Sequence, residues 1–316
     1  MGFALRLGIV FLLMTGAAAC GGSSATPTAP TPPTVGPAPQ PASSLPLGSA
    51  GAGGGVACPS GLGSPANSSC SSLVVTCPSV AVASATLRIT RPPAGIVNRG
   101  TIVLSTGSAG TNFQDSPLTP GMISTLGGDG LTAVQLAWDT PGIWGDARAR
   151  TVACRYATAV RWIYDNVHTG GRSQLFAAQG TSGGAAQIAF GLAHYGIGDF
   201  LDLANLGGGP PRCPLCPCDG RTATEPLLPL SLSNGGCKSP PPSERSPLLA
   251  YPSTAVRFFL GDHDPNDDGT ADSAREYFVA ITSSRTFATA PNTPHVVETT
   301  QAGVDAYIGS VRSALK

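Results

Sequence analysis

From residue 100 onward the chain alternates between short apolar runs closed by glycine or proline and longer stretches with helical spacing, and few folds accept that pattern. Gly100–Ser105 (GTIVLS), Thr132–Trp138 (TAVQLAW), Leu175–Gln179 (LFAAQ), Phe200–Leu206, Ala255–Leu260 (AVRFFL) and Arg285–Ala290 read as strands. A brief apolar run bounded by turn residues is the pattern of a strand buried on both faces. Between these runs, Tyr156, Val160, Ile163 and Val167 share one helical face, and so do Ala185, Ile188, Ala189 and Leu192. Ala274, Tyr277, Phe278 and Ile281 form a third such face, and Val304, Ile308, Val311 and Leu315 a fourth. Strands alternating with helices predict an α/β protein, with a mostly parallel central sheet covered by helices on both faces. Leu73–Cys77 and Ala85–Thr90 add two strands ahead of this series.

The first fifth of the chain follows other rules. Residues 1–20 carry one charge, Arg6, then an apolar run over 7–14 and small residues up to Ala19, which is the layout of a secretory signal. Ala18-Ala19-Cys20 resembles the bacterial lipoprotein processing box. That resemblance implies a signal peptide over 1–19, cleavage before Cys20, lipidation of its thiol and a membrane anchor there. Gly21 stands where an Asp would retain the protein at the inner membrane, so the expected home is the outer membrane of a bacterial cell envelope. No charged residue occurs between Arg6 and Arg88, and residues 21–57 hold eight Pro and eight Gly. Such a segment lacks the apolar surface to fold. Residues 20–57 are therefore expected to be a tether, extended in its Pro-rich half and flexible over Ser49–Gly55, with the folded domain at 58–316.

Composition narrows the partners. Eighteen Lys and Arg balance 18 Asp and Glu, so there is no basic footprint and no nucleic acid is expected as partner. Beyond the first 20 residues no apolar run reaches the roughly 18 residues needed to span a bilayer, which removes multi-pass membrane proteins. Nine Cys are present. With Cys20 assigned to lipid, the other eight could form up to four disulfides in an oxidising compartment, in pairings the sequence leaves open. Cys213, Cys216, Cys218 and Cys237 could alternatively hold zinc, a reading weighed below disulfides. The Pro-, Gly- and Cys-rich stretch at about 207–254 is too long for a plain connection and reads as an inserted cap.

Gly180-Thr181-Ser182-Gly183-Gly184 fits G-x-S-x-G between a predicted strand and a predicted helix. That context is what a nucleophile elbow requires: a tight turn lifts the Ser182 hydroxyl out of the sheet, and small neighbours let helix and strand close up. A neutral hydroxyl needs a base. Of the four His, only His295 follows the last predicted strand. An acid must hold the base's tautomer, and Gly261-Asp262-His263-Asp264-Pro265 follows the fifth strand of the series. The order Ser182, Asp264, His295 and the Gly-x-x-Asp-Pro turn resemble the α/β-hydrolase superfamily over about residues 70–316. The resemblance implies an eight-stranded, mostly parallel sheet and acyl transfer through a serine ester, with Asp264 rather than Asp262 as the acid. It also implies an oxyanion hole from the N–H groups of Gly183 and Ser108, with Ala109 as a second candidate in the loop Thr106–Gly110. No cofactor and no metal are expected. Asp264-Pro265-Asn266-Asp267-Asp268-Gly269 matches the start of a calcium loop, but its closing position is Arg275 rather than Glu, so the polar-loop reading is preferred. The expected function is a serine hydrolase acting on a small-molecule or lipid ester. A peptidase of the same fold and a non-catalytic surface lipoprotein are the alternatives.

Overall fold

The computed structural model describes residues 44–59, 65, 67–140, 149–210, 247–264 and 270–316. Among them, nine strands form one sheet in the order β1-β2-β3-β5-β4-β6-β7-β8-β9. β1 (Ser49–Val56), β2 (Ser68–Thr76) and β3 (Ala83–Thr90) form an antiparallel meander, and β3 runs antiparallel to β5 (Leu131–Trp138). From β5 through β4 (Gly100–Ser105), β6 (Leu175–Thr181), β7 (Leu203–Gly207), β8 (Ala255–Gly261) and β9 (Arg285–Ala290), every pairing is parallel. The strand starts at 255 and 285 and the β4 boundaries match the sequence reading. β7 begins three residues late because a 3-10 turn at Ile197–Asp199 occupies the approach to it.

Two expectations need correction. The resemblance implied eight strands, and the described residues hold nine; the stretch Ser49–Gly55, expected to be flexible tether, lies in the additional strand β1. Its pairing with β2 is made by backbone N–H and C=O groups, which every residue here except proline carries, so glycine and alanine suffice. The Cys58–Cys70 disulfide closes the same hairpin.

Helices cover both faces. α2 (Ala149–Asn166), α3 (Gly183–Tyr195) and α4 (Thr270–Ala280) pack on one side, where Tyr156, Val160, Ile163, Ile188, Leu192 and Tyr277 are buried. α1 (Thr119–Gly128) and α5 (Gln301–Ala314) cover the other, with Met122, Ile123, Leu126, Val304, Tyr307 and Val311 inside. Inside the first core, the Cys77–Cys154 disulfide joins the end of β2 to α2. Cys213, Cys216, Cys218 and Cys237 lie outside the described residues, as does most of the expected cap. No helix among the described residues is long and apolar enough to cross a membrane.

Register decides where chemistry can happen. Ser105 pairs with Gly180, Thr181 with Gly207, Gly207 with Phe259, and Gly261 with Ala290. The carboxyl ends of five adjacent parallel strands therefore share one rim, and the loops beyond them face a common space. In open α/β sheets that rim is where ligands bind.

Candidate active site

Ser182 stands alone between β6 and α3, with φ 53° and ψ −113°. A non-glycine residue in such a conformation costs on the order of 1–3 kcal/mol and persists only where the surroundings impose it. Here they do. A β-carbon on Gly180 would lie 2.4 Å from the Gly184 carbonyl carbon, and one on Gly183 would lie 2.2 Å from the Ser108 oxygen. With hydrogen at both positions, the helix starts almost against the strand. The Ser182 N–H donates to Gly207 O on the neighbouring strand at 2.8 Å, which fixes the turn from below.

His295 approaches from the loop after β9. Its Nδ1 is 2.7 Å from Asp264 Oδ2, and both side chains are largely shielded from water, at 13% and 14% exposure. The ring also lies over β7's exit: a β-carbon on Gly208 would stand 3.1 Å from His295 Cε1. Gly208 directly follows the residue that accepts the Ser182 N–H. Asp262 points elsewhere. Its Oδ1 meets His263 Nδ1 at 2.7 Å and accepts the Thr293 N–H at 3.1 Å. The hydrogen bond from His263 holds the Asp262 carboxyl below its usual range. His168 is buried near the start of β4, beside Thr101 and the Gly171 carbonyl, and His194 closes α3.

The loop after β4 wraps the front of α3. Gly107 comes close enough that a β-carbon there would sit 3.4 Å from Ser182 Cβ, and Ser108 packs its backbone on Gly183. Ser108 takes φ 51° and Gly110 φ 71°. Gly183 opens α3, so its N–H has no acceptor within the helix. The loop is tied down at several points. The Trp138 N–H donates to Gly110 O at 2.8 Å, the Gln135 side-chain amide donates to Gln114 O at 3.0 Å, and Arg88 Nε donates to Gln135 Oε1 at 2.7 Å. The Arg88 guanidinium, only 5% exposed, also lies 4.4 Å over the Phe113 ring. Sequence reasoning passed over Arg88 and Gln135. The available signal was a cation inside an otherwise uncharged strand, the first charge after the long uncharged stretch.

Sequence reasoning also missed Glu298, which follows His295 by three residues in a 3-10 turn and is 3% exposed. Its Oε2 accepts the Thr181 hydroxyl at 2.5 Å, and Thr181 Oγ1 is 3.2 Å from the Tyr307 hydroxyl. The Ser116 hydroxyl donates to the Glu298 carbonyl at 2.8 Å. Burial pushes the Glu298 carboxyl above its ordinary value, against the Thr181 hydrogen bond, which favours the charged form.

Residues 265–269 and 211–246 fall outside the described residues, so all of the calcium-like sequence except Asp264, and the four cysteines of the alternative zinc set, lie there too. Among the described residues no group of three or more His, Cys, Asp or Glu side chains is arranged to hold a metal.

No protein-family model matches the chain, and no curated protein is similar to it in sequence. Solved structures are similar in shape. A dienelactone hydrolase from Anabaena variabilis superposes with a TM-score of 0.50 at 15% identity, covering 79% of this chain and all of its own. An α/β serine hydrolase without a lid from Xanthomonas campestris gives 0.49 at 14% identity, covering 79% of this chain and 96% of that one. A cold-adapted esterase from an Arctic intertidal metagenomic library gives 0.48 at 13%, with 80% and 97% covered. The protein has the α/β-hydrolase fold. At these identities the likeness is one of architecture, and the chemistry rests on the chain's own residues.

Proposed function

We propose that the protein is a serine hydrolase that cleaves a carboxylic ester through Ser182, His295 and Asp264. The observation that carries this reading is the strained Ser182 turn at the rim of the sheet, with the shielded His295–Asp264 pair at 2.7 Å on the same rim. Asp264 accepts the His295 Nδ1–H and so leaves Nε2 as the basic nitrogen. His295 takes the Ser182 proton as Oγ bonds to the ester carbonyl carbon. The N–H groups of Gly183 and Ser108 receive the charge that develops on the carbonyl oxygen. His295 then returns the proton to the departing alcohol as the C–O bond breaks. Water, activated in the same way, releases the acid and frees Ser182.

The same proposal places the protein on the cell envelope, held by lipid on Cys20 and most consistent with the outer membrane. Its support is the sequence of residues 1–21. A panel of p-nitrophenyl esters beside peptide nitroanilides, run on the full-length chain, tests the chemistry. Ester turnover and fluorophosphonate labelling, both lost in Ser182→Ala, are expected; wild-type turnover in that variant would end the reading. Cys20→Ser should move the protein from the membrane fraction to the soluble one at unchanged activity per molecule.

A further inference from the structure

We propose that Arg88 and Gln135 are positioning residues of this site: a buried cation and a buried amide on neighbouring strands that hold the loop carrying Ser108 in its strained conformation. The inference rests on the serine-hydrolase reading above.

The loop needs holding. Ser108 has φ 51°, a conformation that a non-glycine residue keeps only where its surroundings impose it. A relaxed Ser108 would turn its N–H away from the place where the ester oxygen gains charge, and such donors act by being aimed in advance. Gln114 closes the loop at its base. Its side-chain amide reaches toward Ser105 O at 3.5 Å, and its own carbonyl accepts from the Gln135 side chain at 3.0 Å.

The relay runs in one direction. Arg88 on β3 and Gln135 on β5 are direct cross-strand partners. A guanidinium only donates and a carbonyl only accepts. Gln135 stands between the two, so its Oε1 faces Arg88 Nε, at 2.7 Å, and its Nε2 faces Gln114 O. This position needs a side chain that accepts on one side and donates on the other. Arg88 also grips the loop directly, because its guanidinium lies 4.4 Å over the ring of Phe113, the residue before Gln114. Arg88, Gln135 and Gln114 are all buried. Hydrogen bonds in a dry interior are strong, and satisfied networks of them fix one arrangement. An apolar pair at 88 and 135 would serve the sheet alone, without the cost of burying a cation. What the polar pair adds is a fixed point for the loop.

Gln135→Glu tests this. Paired with Arg88, a carboxylate there stays ionised: it still accepts from the guanidinium but has no proton for Gln114 O. The sheet keeps its pair and the loop loses its tie. The full-length protein is assayed with p-nitrophenyl acetate. Removing an oxyanion donor outright costs 10²–10³ in kcat, and misplacing one should cost about tenfold, with KM kept within about twofold. Hydrogen exchange read by mass spectrometry should quicken in peptides from 106–116 and stay unchanged in β6 and α3. A merely structural role predicts faster exchange across the whole sheet with kcat intact. An unchanged kcat, or exchange that rises throughout the sheet, overturns the inference. Should Gln135→Glu not fold, Arg88→Lys and Arg88→Met take its place. Lys can donate to Gln135 and Met cannot, so kcat must rank wild type, Lys variant, Met variant; equal kcat in the two variants overturns the proposal. Hydrogen exchange needs no turnover. A loosened loop in a protein without ester hydrolysis defeats the serine-hydrolase reading alone, and hydrolysis undiminished by Gln135→Glu defeats only this inference.

Discussion

Asp264 and His295 are 31 positions apart in the chain, yet Asp264 Oδ2 and His295 Nδ1 meet at 2.7 Å. The meeting follows from register: β8 and β9 are parallel neighbours that end together at Gly261 and Ala290, so their exit loops overlap. Asp262, two residues nearer the strand, is turned to His263 and to the Thr293 N–H instead.

Asp264→Asn is accordingly expected to keep the fold and to lower kcat by about 10⁴, the cost of losing the tautomer partner in the serine-protease triad. Asp262→Asn should leave kcat within a few-fold and slightly loosen the turn. Steady-state kinetics on one ester substrate decides between them, and the reverse ranking would reassign the acid.

Gly208→Ala should be more harmful than its size suggests. The position has φ 62°, and a β-carbon there would press to 2.5 Å from the His295 carbonyl and 3.1 Å from its ring. A fall in kcat of tenfold or more, with circular dichroism unchanged, is the expected outcome. A fully active variant would show that the ring does not depend on that gap.

The two disulfides should contribute unequally. In the chain-entropy model, closing a separation of 77 residues at Cys77–Cys154 is worth about 4.5 kcal/mol, and 12 residues at Cys58–Cys70 about 3 kcal/mol. Urea unfolding of the paired Cys→Ala variants should rank them in that order. Thiol titration of the unfolded, unreduced chain should find none of these four free.

Glu298 makes a signed prediction for stability. Its carboxyl in the folded protein is raised above the ordinary 4.5, mainly by burial. The folded state therefore holds this proton more tightly than the unfolded one. Its stabilising contribution is complete below the ordinary value and is lost as pH rises through the folded one. The Tm of the wild type minus that of Glu298→Gln should fall across that window, as measured by calorimetry at several pH values. A difference that rose with pH would contradict the burial argument.

How much was legible differs by element, for physical reasons. The parallel strands and α2 to α5 announce themselves because their apolar residues recur at the period of the element. α1 does not. Pro120 and Gly121 open it and Gly127 and Gly128 close it, so the three core residues Met122, Ile123 and Leu126 are surrounded by helix breakers. β1 is hidden for the opposite reason, since its pairing uses backbone alone. The proposed Ser182, Asp264 and His295 were candidates from chain order and turn chemistry, both of which can be read along the sequence. Glu298 and Arg88 could not be named that way, because a single sequence does not show whether a charged side chain ends in water or beneath a strand.

The outermost strand, Ser49–Val56, is almost entirely glycine and alanine and carries an irregularity between Ala52 and Gly55. Pairing at such an edge has no large side chains to penalise a slip, and a glycine-rich ribbon can slide by two residues at little cost. The neighbouring strand supplies what side chains do not: Cys70 pairs with Val56 and is bonded to Cys58, two residues further on. The covalent bond acts as an index pin that makes one alignment unique. Reduction of Cys58–Cys70 alone would free the margin of the sheet to re-pair, with its own chain or with another.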